Sequence, residues 1–370
     1  MLVRDIVNII HRAAPPDLAL DWDNCGLQAG SVNREVRKIG LALDATEATV
    51  AQALAEGCDL LLTHHPLLFK PIRSLDIDRE PGSLINTALN GGLTIFAAHT
   101  NWDSAAKGVA ATLGGLLELE NRRPLEPAAR DFLKLVVFVP AGYEGVMRRA
   151  LFEAGAGGIG DYDHCWFGAS GQGGFRSPDN GKPFLGCIGE DTRARESRLE
   201  VILPKYLADR AAEAVLKSHP YEEPAFEFHP VKIYGQGQGA GLLGEWNPPR
   251  NVFNELRKIG PAFKWTGPEP GLVTKVALLP GSGGGYLGLA HRQGAEVLIC
   301  GDAGYHQALE AQSLGLTLVD IGHFETEWPG VMRLAGLLES ELQRLKAGVE
   351  CKVLNQLPAW HYHCFEDIEE

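Results

Sequence analysis

Short apolar runs alternate with segments of helical period along most of this chain, and that alternation restricts the folds open to it. KIGLALDAT (38–46), CDLLLTHHP (58–66) and LTIFAAHT (93–100) read as buried strands. Between them, TEATVAQALAEG (46–57) and SLINTALNGG (83–92) have helical spacing and end at glycines. Strands joined through helices imply a parallel α/β sheet. Such sheets gather their sites at the carboxyl ends of the strands. Asp44, His64, His65, His99 and Asp103 all lie at or just beyond such ends.

The pattern changes in the middle of the chain. FLKLVVFVP (132–140) is a strand, YEGVMRRALFEAG (143–155) a helix, and residues 156–190 are rich in glycine and aromatics. RLEVILP (198–204), KYLADRAAEAVLKSH (205–219) and PAFEFHPVKI (224–233) follow as strand, amphipathic helix and strand. That order is the one found in a small ferredoxin-like α+β domain. Afterwards the first pattern resumes: strands at 273–279, 295–302 and 316–323, then a long helix from about Glu327 to Lys346. The expected organisation is a discontinuous α/β domain, residues 1–127 and 236–370, with 128–235 inserted. A chain of 370 residues is long enough for two or three domains.

Composition excludes more than it selects. A net charge of −13 opposes a nucleic-acid-binding face, which needs clustered Lys and Arg. The seven cysteines are scattered without a CxxC pair, so neither a zinc knuckle nor a disulfide framework is indicated. MLVRDIVNIIHRAAPP lacks the apolar core and cleavage site of a signal peptide, and no apolar run approaches a membrane-spanning length. A cytoplasmic protein with no membrane contact is the expectation.

The candidate site residues are polar groups placed where apolar runs stop. His64 and His65 are consecutive in an extended segment, so their side chains diverge, and one metal cannot easily take both. Two metals, one on each side, can. A capping or solvent-exposed role is the simpler reading for a lone histidine, but HHP at a strand end with acids elsewhere favours ligation. Asp103, in HTNWD, either ligates or caps a helix starting near 104–106. His99 is a ligand, a partner of one, or a proton carrier. His323 and Glu327 are four apart, but Pro329 argues against one helical face. Thr326 is therefore expected as the N-cap, with Glu327 in the first turn and His323 at the strand end. PGSGGG (280–285) could cradle phosphate or simply pack a turn, and it matches no nucleotide motif. Asp302 and His306, in GDAGYHQA, either line a pocket as acid/base groups or cap. Five residues, His64, His65, Asp103, His323 and Glu327, exceed what one tetrahedral ion needs and suit a dinuclear site for Zn, Mn, Fe, Co or Ni.

WDNCGLQAG (22–30), LLLTHHPLLF (61–70), AAHTNWDSA (97–105), GDAGYHQA (301–308) and DIGHFETE (320–327) resemble, in order, the five signature segments of the Ngg-interacting-factor-three-like family. Many of its members carry the name GTP cyclohydrolase 1 type 2 homologue. The resemblance implies that the dinuclear ligands are His64, His65, Asp103, His323 and Glu327. It also implies a PII/CutA-like insert, which includes HPYEEPAFE (219–227), and a toroidal homohexamer whose sites face an internal cavity. Where that family pattern leads us to expect CGGSG, this chain has PGSGGG. The chemistry implied is metal-dependent hydrolysis of a nucleotide-like or phosphoester small molecule, with His99, His306 or Glu325 moving protons. The alternative is a non-enzymatic metal-binding regulator or metal carrier.

Overall fold

The computed structural model describes residues 1–160 and 162–360. The chain divides into two compact units, Met1–Ala128 with Gln236–Glu370, and Ala129–Gly235. Residues 361–370 of the expected first domain, Cys364 among them, lie outside the described residues.

The first unit begins with α1 (Val3–Ala13), β1 (Gly26–Ala29), β2 (Lys38–Ala42), α2 (Glu47–Ala55), β3 (Leu60–Thr63) and α3 (Gly82–Asn90). It continues through β4 (Thr94–Ala97), α4 (Thr100–Asp103), α5 (Val109–Leu116) and β5 (Glu120–Arg123). Next come β6 (Glu126–Pro140), α6 (Glu144–Glu153), β7 (Phe167–Arg176), β8 (Asp191–Pro204), α7 (Ala208–Ser218) and β9 (Phe226–Ala240). The first unit resumes with β10 (Leu242–Asn251), α8 (Val252–Leu256), β11 (Lys264–Thr266), β12 (Leu272–Leu279) and α9 (Leu287–Arg292). It ends with β13 (Val297–Cys300), α10 (Tyr305–Leu314), β14 (Thr317–Asp320), α11 (His323–Arg344) and β15 (Glu350–Val353).

The protein is a mixed α/β molecule with several sheets. The first unit holds two of them, of order β1-β4-β3-β2-β15 and β11-β14-β13-β12-β10-β5. β15, β2, β3 and β4 pair in parallel, as do β12, β13 and β14. Antiparallel strands β1, β10, β11 and β5 extend the edges. Every residue of β3, β4, β13 and β14 is buried, as expected of parallel strands covered on both faces. Candidate residues therefore come from two sheets rather than one sheet edge.

α1 and α11 cover the first sheet. Ile6 and Ile10 from α1 join Val331, Leu334 and Leu338 from α11 in a core with Leu41, Leu62, Phe96 and Trp102. In the second unit the sheet order is β7-β8-β6-β9, and α6 and α7 bury Met147, Leu151, Ala211 and Val215 against it. β6 and β8 begin well before their apolar stretches, at Glu126 and Asp191. The added residues of β8, DTRARES (191–197), are mostly charged or polar, and their antiparallel pairing with glycine-rich β7 leaves no apolar period to read. Among the described residues no helix is long and apolar enough to cross a membrane.

Candidate metal centre

Backbone pairing places the first two histidines. Past the end of β3, the amides of His64 and His65 bond to the carbonyls of Ala42, the last residue of β2, and of Leu43, at 3.2 and 2.9 Å. The chain thus stays extended through HHP, and the two side chains diverge only partly, with ring centroids 5.2 Å apart and planes at 49°. His64 is 3% exposed.

Asp103 is not a helix cap. It ends the single-turn helix α4, for which His99 occupies the N-cap position, and the next helix starts only at Val109. Beside it, Trp102 is fully buried, and its indole N–H donates to Gly330 O at 3.0 Å. That bond ties α4 to α11 one turn beyond Glu327.

The expectation for His323 and Glu327 is corrected. α11 starts at His323, so the pair lies on one helical face, and Pro329 sits inside the helix. Thr326 is not the cap; its hydroxyl donates back to Gly322 O and His323 O at 3.1 and 2.8 Å. Gly322, at φ 103°, makes the turn out of β14 and occupies the N-cap position. The proline costs the helix about 3 kcal/mol. Burial of Val331, Leu334, Leu338 and Leu342 beyond it contributes about 1.5–3 kcal/mol each, which exceeds that cost.

These elements converge on Glu327, which is 3% exposed. Its Oε2 lies 2.8 Å from His65 Nε2, 2.9 Å from His323 Nε2 and 3.7 Å from His64 Nε2. His64 Nε2 is also 3.5 Å from Asp103 Oδ1. Two ligand-like triads result, His64–Asp103–Glu327 and His65–His323–Glu327, with Glu327 common to both. His99 forms a further triad with His64 and His65.

The orientation of the imidazoles is the sharpest observation. His64 Nδ1 faces Ala98 O at 2.9 Å, and His65 Nδ1 faces Asp44 Oδ1 at 2.7 Å. His99 Nδ1 faces Asp23 Oδ1 at 2.9 Å, and His323 Nδ1 faces Asp302 Oδ2 at 2.6 Å. A carbonyl or carboxylate oxygen can only accept, so each Nδ1 carries a proton and each neutral ring offers its Nε2 lone pair. This is the habit of metal-ligating histidines, whose second nitrogen is fixed by an outer carboxylate or carbonyl. The lone pairs of His65 and His323 then face each other at 3.1 Å, which requires a cation or a shared proton.

Three buried atoms, His64 Nε2, Asp103 Oδ1 and Glu327 Oε2, have no hydrogen bond, although Oε2 is within 3 Å of two imidazoles. Distance without angle is not a hydrogen bond, and orphaned polar atoms converging in one place fit a coordinated cation. In the metal-free chain protons supply the missing positive charge. Burial lowers the His65 pKa, but the hydrogen bond to Asp44 and the adjacent Glu327 carboxylate outweigh it and hold it at about 10. His323, opposed by the same burial, is held at about 9 by Glu327 and Asp302. Burial pushes Asp103 up to about 7, against His64 and with the repulsion of Glu327.

Asp23, Asp44 and Asp302 orient three of the four rings. Asp44 was legible only as an acid at a strand end, and Asp23 only as part of WDNCG. Asp23 is fixed in turn by the Thr100 amide and hydroxyl, and Gln356 donates to Asp44. His306 is exposed on α10 beside Tyr305 and does not line the crevice. Glu325 is buried, packed toward Gly260. The PGSGGG turn closes on the site rather than opening a cradle. A Cβ on Gly281, whose φ is +61°, would meet the Glu327 carboxylate. Its amide already donates to Thr326 Oγ1, and its carbonyl accepts from Gly301 and Asp302.

Known proteins share this arrangement of chain. The family model Duf34/NIF3 (NGG1p interacting factor 3) matches residues 1–358. A Bacillus subtilis (strain 168) protein named GTP cyclohydrolase 1 type 2 homolog is 36% identical over 327 residues, covering 87% of this chain and 88% of its own. A protein of the same name from Mycobacterium tuberculosis is 33% identical over 346 residues, covering 91% of both. The crystal structure of a Bacillus cereus protein related to NIF3 superposes with a TM-score of 0.81 at 32% identity, covering 98% of this chain and 99% of its own.

Proposed function

The chain belongs to the Duf34/NIF3 family, and from that premise we propose that it is a dinuclear metal-dependent hydrolase of a nucleotide-like or phosphoester small molecule. His64 and Asp103 would hold one divalent cation and His65 and His323 the other, with Glu327, common to both triads, serving each. The observation that carries this reading is the uniform presentation of Nε2 around the buried, orphaned Glu327 Oε2. The cation pair supplies Lewis-acid polarisation of a scissile group and lowers the pKa of water.

The residues around that pair do the remaining work. Asp44, Asp302 and the Ala98 carbonyl orient the rings and raise their basicity. His99, braced by Asp23, lies in the same crevice with ring centroids 5.2 and 5.3 Å from His64 and His65. It is positioned to carry a proton to or from a substrate. Trp22 and Phe69 cover His99, with ring centroids 6.1 and 6.4 Å away, and limit water at the mouth.

The second unit is a ferredoxin-like, PII/CutA-like insert in this reading, supported by its β-α-β-β-α-β succession and its strand order. Family resemblance supports a homohexamer. The test is turnover by the metal-loaded chain against a panel of nucleotides and phosphoesters. Glu327→Gln should abolish turnover while leaving the fold intact. A wild-type chain that binds and exchanges metal yet turns over nothing on the panel would replace the hydrolase with a metal carrier.

A further inference from the structure

A second cavity of about 550 Å³ adjoins the metal crevice, and the two share Asp103 and Gly241 in their walls. Its charged lining is Lys107, Arg122, Arg123 and Arg333, with Asp103 as the sole carboxylate. These cations come from three separate places: the approach to α5, strand β5 and helix α11. No run of basic residues marks them in the sequence. Among the described residues none of the four is ion-paired, and Arg122 Nη1 reaches only the Ala111 carbonyl, at 3.4 Å. Four unpaired cations in one concave wall concentrate positive potential against the overall charge, which low-dielectric walls then focus.

We propose that this cavity anchors the phosphate or polyphosphate group of a small molecule whose reacting bond lies at the metal centre. The proposal rests on the hydrolase reading given above and names the part of the substrate that the metal ligands do not touch. Guanidinium groups suit that role because their planar forks bind phosphate oxygens bidentately. The volume is that of a small-molecule site. A long nucleic acid would be repelled by the net charge of −13.

The test is calorimetric titration of the full chain with inorganic triphosphate at low salt, with metal content assayed before and after to separate chelation from binding. Wild type and Glu327→Gln should both bind. The double variant Arg122→Gln/Arg333→Gln should bind about tenfold more weakly or worse, with its metal content unchanged, and Arg122→Lys should retain part of the affinity. Equal affinity in the double variant and wild type would overturn the proposal. So would loss of binding in Glu327→Gln alone, or tighter binding of a single-stranded oligonucleotide than of triphosphate. Triphosphate binding by a wild-type chain that holds no metal when purified without chelator would sink the metal reading and leave the anion pocket standing.

Discussion

Each imidazole in the crevice is fixed by one oxygen on its Nδ1, so the outer carboxylates are as informative as the ligands. Asp44→Asn keeps the shape but removes the charge that holds His65, and should weaken metal binding about 10–100-fold in a chelator competition. Unchanged affinity would mean that Asp44 only fills space. The protonation states yield a second expectation. His65 and His323 are held at about 10 and about 9, above the free value of 6.5. In the metal-free chain they therefore contribute stability that is full below pH 6.5 and is lost as pH rises through those values. Metal loading at pH 7 must displace both protons. Calorimetry in buffers of different ionisation enthalpy should detect release of about two protons per chain. The melting temperature of the metal-free protein should fall from pH 7 to pH 10 relative to the loaded one, and parallel pH profiles would contradict this.

At the scale of elements, the site depends on how α4 and α11 are held together. Trp102→Phe removes the indole donor and leaves the Gly330 carbonyl buried without that partner. It should cost about 1–3 kcal/mol in chemical denaturation and also loosen the metal, because Asp103 and Glu327 lose their common brace. Gly281→Ala places a methyl against the Glu327 carboxylate at a positive φ, and should reduce metal content more than it reduces global stability. Most of the elements were legible because buried parallel strands are short and apolar and stop where the ligands begin. The start of α11 was not. Pro329 carries a local penalty that sequence displays, whereas the buried face of Val331, Leu334 and Leu338 that outweighs it depends on distant partners. The one-turn helix α4 was missed for a related reason: four residues are too few to show a period, and its stability comes from Trp102 and Asp23.

At the scale of the molecule, residues far apart in sequence meet because β3, β4 and β14 end close together. Five candidate ligands could be listed from the sequence, but their division into two triads around Glu327 could not, since it depends on side-chain rotamers and on α11 reaching back to His323. The four cations beside Asp103 were equally hidden, being contributed singly or in pairs by separate elements. The second unit has its own core, with Leu135, Val137, Met147, Leu151, Leu199 and Val215 packed together. The excised segment 129–235 should consequently melt cooperatively, and a non-cooperative profile would show that it borrows stability from the rest of the chain. The most direct test of the central claim is elemental analysis of the chain purified without chelator, wild type beside Glu327→Gln. The account predicts about two divalent ions per wild-type chain and loss of both in the variant, because both triads contain Glu327. One ion or fewer in wild type, or an undiminished count in Glu327→Gln, would contradict it.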